Sequence, residues 1–294
     1  MNELEGQVRN QVAQVEAQAN AARNEVEPES ARRWASEAQF FDKLADAIGE
    51  VGPLPPEVLA RYLESPRRIY EKEFRFRLLG DLHGQKVLDV GCGEGTNAVL
   101  LAMAGAQVEG VDVSPRLIEI GNLRAAHSGV GERVKLHCAP IEKVSFPENH
   151  FDVIWGDGVL HHLIDVLEPT LERLARWAKP NALFLFSEPV VRSRLLRRLR
   201  GYVPIHTDAT ADERPLEENE LAVVRRLLPD LRERQFEMLS RFTRFVLPLH
   251  AYERANTLRK RAADLIHLAD YAALSMRRLQ PLSGTTVMWA RLDK

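Results

Sequence analysis

The chain has 294 residues, 45% of them hydrophobic, a formal charge of −2 and two cysteines. This length buries a full α/β core and leaves about a hundred residues for additions. The near-neutral charge gives no global pull toward nucleic acid or an anionic membrane, and Cys92 and Cys138 supply neither a disulfide framework nor a zinc site. No apolar run reaches the roughly 20 residues of a membrane-spanning helix. The N-terminus lacks the charged head and apolar body of a signal peptide, so the expected location is the cytoplasm.

Residues 1–30 place Leu4, Val8, Val12 and Val15 on one narrow stripe of an otherwise polar segment. This pattern predicts a helix that packs on the protein or joins two copies, with a frayed leader as the alternative. Residues 31–80 read as helices rich in aromatics, including Trp34, Phe40, Phe41, Tyr70, Phe74 and Phe76, interrupted at Gly52-Pro-Leu-Pro-Pro56.

The most informative segment is Lys86-Val-Leu-Asp-Val-Gly-Cys-Gly-Glu-Gly-Thr96, followed by Val108-Glu-Gly-Val-Asp-Val-Ser114. Val87, Leu88 and Val90 suit a strand covered on both faces. Gly91, Gly93 and Gly95 let backbone approach a ligand, and Thr96 opens a helix predicted over Asn97–Ala104. Twenty-one residues after Gly91, Asp112 ends the next strand, where a carboxylate accepts both hydroxyls of a ribose. A dinucleotide site needs G-x-G-x-x-G, but here Thr96 stands at the third glycine position. Asp89 and Glu94 also repel a pyrophosphate while tolerating an ammonium or sulfonium. A nicotinamide oxidoreductase is therefore disfavoured.

These residues resemble the class I S-adenosylmethionine-dependent methyltransferases. Asp89-Val-Gly-Cys-Gly-Glu-Gly95 is similar to the family's first motif, and Gly110-Val-Asp-Val-Ser-Pro115 to the end of its second strand. Phe146-Pro-Glu-Asn-His-Phe-Asp-Val-Ile-Trp155 and Val159-Leu-His-His-Leu163 resemble the fourth strand and the segment after it in the small-molecule, type 11 branch. The resemblance spans roughly residues 80–190. It implies S-adenosylmethionine as cofactor, with S-adenosylhomocysteine as its product. Methionine contacts are implied at Asp89, Gly91 and Gly156, ribose contacts at Asp112, and adenine contacts near Val113 and Ile141. Cys92, Gly93 and Asp157 complete the expected cofactor-binding set. Where many relatives carry an Asp before the adenine-contacting turn, this chain has Pro140, so adenine is expected to rest on the Ile141 backbone and on packing.

The expected fold is α/β: a Rossmann-like seven-stranded sheet, mostly parallel, ending in an antiparallel hairpin. Strands are predicted near 86–90, 108–112, 134–137, 151–156 and 182–187, with helices between. Right-handed crossovers then put the ligand at their C-terminal ends. Beyond them, residues 190–231 read as helical, 236–246 as a strand, 251–279 as helical and 285–291 as the last strand. The expected organisation is an amphipathic helix (1–30), a helical cap (31–80), the cofactor-binding core (81–190), and helical lid elements with the last two strands (191–294). Residues 181–294 hold twenty Lys and Arg against fourteen Asp and Glu, so the basic part follows the core. The run Arg192 to Arg200 suits an anionic acceptor, a membrane surface or a solvated helix, with Tyr202, His206 and Arg214 just beyond.

Methyl transfer is an in-line displacement, so positioning in a dry pocket does most of the work and a base serves only weakly acidic acceptors. His161, His162 and Glu188 follow strand ends on the side of the transferable methyl and are the catalytic candidates. Successive helical residues diverge, so one histidine is expected to face the pocket, with His161 preferred; a packed histidine and a Glu bonded to backbone N–H are the structural alternatives. No metal is expected, because adjacent histidines share an ion poorly. Leu265, Leu268, Tyr271 and Leu274 suggest an apolar pocket. The expected acceptor is then a small organic molecule, lipid-like, isoprenoid or aromatic, methylated at O, N or C, as in secondary metabolism. The partners are this acceptor and, through the N-terminal helix, a second copy; nucleic acid and integral membrane association are not expected. A non-catalytic S-adenosylmethionine or S-adenosylhomocysteine sensor is the alternative function.

Overall fold

The computed structural model describes residues 30–64, 66–193, 214–247 and 252–294. The predicted helix over residues 1–30, with its apolar stripe, lies outside the described residues, apart from Ser30. So do Tyr202, His206 and the run from Arg194 to Arg200.

The sheet forms because five apolar segments pair in parallel: β1 (Lys86–Val90), β2 (Gln107–Asp112), β3 (Val134–Cys138), β4 (Phe151–Asp157) and β5 (Ala178–Pro189). β6 (Arg232–Phe236) and β7 (Thr285–Arg291) complete the order β3-β2-β1-β4-β5-β7-β6, with β7 antiparallel to both neighbours. Alternation divides the core into two layers. Leu88, Val90, Ile154, Phe184, Phe186 and Met288 face one layer, and Val87, Val153, Trp155, Leu183, Leu185 and Val287 face the other.

α1 (30–45), α2 (Pro56–Leu59, continued by a π turn to Glu64) and α3 (Glu71–Leu79) precede the sheet. α4 (Thr96–Met103) follows the glycine turn, and its run Ala98 to Ala102 is wholly buried. α5 (Pro115–His127) starts at Ser114, whose side chain accepts from the Leu117 N–H at 3.1 Å. α6 (Leu167–Trp177) buries Leu167, Leu171, Leu174 and Trp177 along one stripe, as a helix on a sheet face must. α7 (Glu218–Leu227) and α8 (Thr257–Ala273) belong to the C-terminal third.

The C-terminal third departs from expectation. The strand predicted over 236–246 is instead the end of β6, a bend, and a 3₁₀ turn over Ser240–Phe245. The cause is Asp270 of α8. Its buried carboxylate accepts from the backbone N–H of Glu237 (3.1 Å), Met238 (2.9 Å), Leu239 and Ser240 (3.2 Å), and so turns the chain away from the sheet. In the described part of 190–231 the helix is limited to α7, with Val190 bridging to Leu216 before it. Leu265 and Leu268 point to solvent, Leu274 is buried, and none of the three lines the cavity at the strand ends.

Candidate active site

A cavity of about 250 Å³ lies beyond the C-terminal ends of β1, β2 and β4. Its floor is the glycine turn. Gly91 has φ +67°, and a Cβ there would lie 2.7 Å from Val159 Cγ2; Gly95 has φ +77°, and a Cβ there would lie 2.7 Å from Gly121 Cα. Both positions demand glycine, for backbone conformation and for close packing.

Asp112 ends β2 at this turn. Its Oδ2 accepts from the Gly93 N–H and its Oδ1 from the Ser114 N–H, each at 2.9 Å. Burial raises its pKa, opposed by these backbone donors. Both oxygens keep a lone pair for another donor. Asp89 is fully buried below the turn, and neither oxygen has a hydrogen-bond partner. Burial, with the charge of Asp157, pushes its pKa well above the ordinary carboxylate range. Asp157 behaves in the opposite way. Burial raises its pKa, but Arg75, Lys72 and Asn97 outweigh that and hold the carboxyl below the usual range. Arg75 Nη2 donates to its Oδ1 at 2.7 Å, and Asn97 Nδ2 to its Oδ2 at 3.0 Å.

Among the cofactor-binding candidates, Gly91, Gly93, Asp112, Val113, Ile141 and Asp157 line the cavity. Asp89, Cys92 and Gly156 lie behind its wall. Cys92 packs onto β2, where a Cβ on Gly110 would lie 2.9 Å from its Sγ. The Gly156 Cα faces Phe186, and a Cβ there would lie 2.6 Å from that ring. The two histidines share a 3₁₀ turn over Leu160–His162, and the geometry reverses their expected order. His162 lines the cavity beside Phe41, with ring centroids 5.4 Å apart. His161 turns back to Glu188, whose Oε2 lies 2.9 Å from its Nδ1. Glu188 does not line the cavity. Its Oε1 accepts from the N–H of Val159 (2.9 Å) and Leu160 (2.8 Å), so it anchors the turn that presents His162.

The roof was not legible in the sequence as a site. α1 contributes Glu37 and Phe41, and Glu142 closes the side. Asp42 fixes this helix by accepting from Ser114 Oγ at 2.5 Å, and Arg33 and Trp34 both bond Glu142. Among the described residues no lining side chain comes from beyond Leu163, and the described part of the cover is α1. Arg75 was also missed: a Glu71/Arg75 pair one helical turn apart reads as a solvated face, yet Arg75 is wholly buried against Trp155. Among the described residues no cluster of three or more His, Cys, Asp or Glu is placed to hold a metal ion.

Residues 87–181 match the family model of a methyltransferase domain. The chain is 34% identical over 160 residues to the ubiquinone biosynthesis O-methyltransferase of Bradyrhizobium diazoefficiens, covering 52% of this chain and 61% of that protein. It is 36% identical over 83 residues to the 27-O-demethylrifamycin SV methyltransferase of Amycolatopsis mediterranei, covering 28% and 30%. The structure of Haemonchus contortus phosphoethanolamine N-methyltransferase 2 in complex with S-adenosyl-L-methionine superposes with a TM-score of 0.53 at 18% identity, covering 81% of this chain and 57% of that one. The matched stretches thus span less than two thirds of these proteins. The chain carries a class I S-adenosylmethionine-dependent methyltransferase domain, centred on residues 87–181.

Proposed function

We propose that this chain moves a methyl group from S-adenosylmethionine to a small organic acceptor, with a hydroxyl of an apolar or aromatic molecule as the first choice. The observation that carries this reading is the pair of acids flanking the glycine turn. Asp112 offers lone pairs at the rim for a vicinal diol, and Asp89, buried behind the cavity wall, has no hydrogen-bond partner. A nucleoside's diol satisfies Asp112, and the buried acid beneath the glycine turn favours a cationic tail above it. Val113, Leu117 and Ile141 supply an apolar wall for a base, and Glu142 is the acid that lines the cavity beside Ile141.

When bound, the cofactor supplies an electrophilic methyl on a sulfonium, and the remaining work is positioning in a site shielded from water. Phe41, Val159 and Leu163 exclude water around the cavity. His162 is placed to hold or accept a proton from the acceptor. Glu188 acts through the turn, fixing His161 and the backbone on which His162 sits. The relatives in Bradyrhizobium and Amycolatopsis support O-methylation by their names.

The test is incubation of the full chain with S-adenosylmethionine and hydroxylated apolar molecules, read by mass spectrometry. A mass gain of one methylene unit, matched by S-adenosylhomocysteine, is expected. Tight nucleoside binding without such a gain, from the panel or from a metabolite extract, would instead identify a non-catalytic sensor.

A further inference from the structure

One face of α8 is apolar and uncovered. Leu258 and Leu265 lie seven residues apart on the same side of the helix, with Leu268 one turn on, and they are 77%, 65% and 52% exposed. Met276, just past the helix, is 56% exposed. Phe242 and Phe245, in the turn that Asp270 holds, are also exposed, with rings 6.4 Å apart. Scattered exposed leucines are ordinary; an aligned run on one helix is not.

The charges around this stripe are sorted by sign. Every acid between Tyr252 and Leu279 is used inward. Glu253 pairs with Arg61 at 2.9 Å, Asp264 with Arg67 at 2.6 Å and with Tyr70 Oη at 2.7 Å, and Asp270 binds the backbone of the preceding turn. Arg254, Arg259, Arg261, Arg277 and Arg278 are all exposed, and none pairs with an acid among the described residues. The outer face therefore carries Leu258, Leu265 and Leu268 with Arg261 between them, and further arginines at its ends.

We propose that this face of α8 docks the protein on an anionic lipid surface. The leucines and Met276 enter the acyl boundary, while the arginine stems lie along it and their heads meet phosphates. The sign sorting favours this occupant. A second copy of the chain would set like-charged arginines against one another, and the convex stripe offers no groove for a peptide.

The experiment is co-sedimentation of the full chain with vesicles of phosphatidylcholine alone and of phosphatidylcholine mixed with phosphatidylglycerol, at low and high salt. Binding is expected only to the anionic vesicles, and salt should weaken it. The double variants Leu265→Glu/Leu268→Glu and Arg277→Glu/Arg278→Glu should each weaken binding about tenfold or more, with circular dichroism and melting temperature unchanged. The proposal is overturned if anionic vesicles fail to bind the chain, or if the leucine variant binds as well as the parent. It is equally overturned if sedimentation velocity shows a dimer that the leucine variant dissociates, because the face would then be a protein interface. Each readout is independent of nucleoside binding, so this result and the proposed activity stand or fall separately.

Discussion

Glu188 Oε2 lies 2.9 Å from His161 Nδ1, while its Oε1 takes the backbone N–H groups of Val159 and Leu160. One buried carboxylate thereby sets the conformation of the whole turn between β4 and α6. Glu188→Ala strands at least two buried donors and should cost about 3 kcal/mol of stability, with Glu188→Gln milder at about 1 to 2 kcal/mol. Urea unfolding checks this. An unchanged midpoint for the alanine variant would mean that the turn holds itself.

The same relationship separates the two histidines. His162→Ala removes the ring that borders the cavity and should lower turnover about a hundredfold or more, with nucleoside affinity within about twofold of the parent. His161→Ala should act mainly through the turn, lowering stability before chemistry. Steady-state kinetics on both variants, beside calorimetry with S-adenosylhomocysteine, decides the matter. Equal turnover in the parent and His162→Ala would remove the proton-handling role.

We predict that Asp89, beneath the glycine turn, makes nucleoside binding depend on pH. Burial raises its pKa in the free protein, and a bound ammonium must lower it again. Between those two values binding releases a proton, so affinity should fall as pH drops through the raised pKa and recover as pH rises. Calorimetry in buffers of different ionisation enthalpy measures the released proton. Asp89→Asn should bind more weakly and lose the slope; a variant that keeps the slope would assign it to another group.

Arg75 neutralises Glu71 and Asp157 inside the protein, its Nη2 2.7 Å from Asp157 and its guanidinium 4.4 Å from the Trp155 ring. Arg75→Met leaves two acids facing each other with only the more distant Lys72, 3.9 Å from Asp157, as a cation and should cost about 3 to 5 kcal/mol. Thermal unfolding should also show the α3 cap loosening from the sheet. A loss under about 1 kcal/mol would show that water already shares the load.

The parallel core was legible because each strand carries its own signal. Val87, Leu88 and Val90 fill both faces of β1, and Asp112 follows Gly91 at the spacing that a β-α-β crevice requires. What failed was whatever depends on a distant partner. Phe242 and Phe245 suggested a strand until Asp270, some thirty positions away, claimed the backbone donors before them. The roof helix shows itself through distant partners such as Asp42 meeting Ser114 and Trp34 meeting Glu142, which no local pattern encodes. An acid at the end of β5 was plain in the sequence, but whether it faced the cavity or the turn depended on three N–H groups in another loop. The leucines of α8 illustrate the same limit, since periodicity marks a stripe without saying whether it faces inward.

The central claim is that Asp112 and the glycine turn bind an adenosyl nucleoside, and isothermal titration calorimetry of the full chain with S-adenosylhomocysteine tests it most directly. The account predicts saturable one-to-one binding that Asp112→Ala weakens by about 1 to 3 kcal/mol. No heat of binding at millimolar nucleoside, or equal affinity in the Asp112→Ala variant, would contradict it.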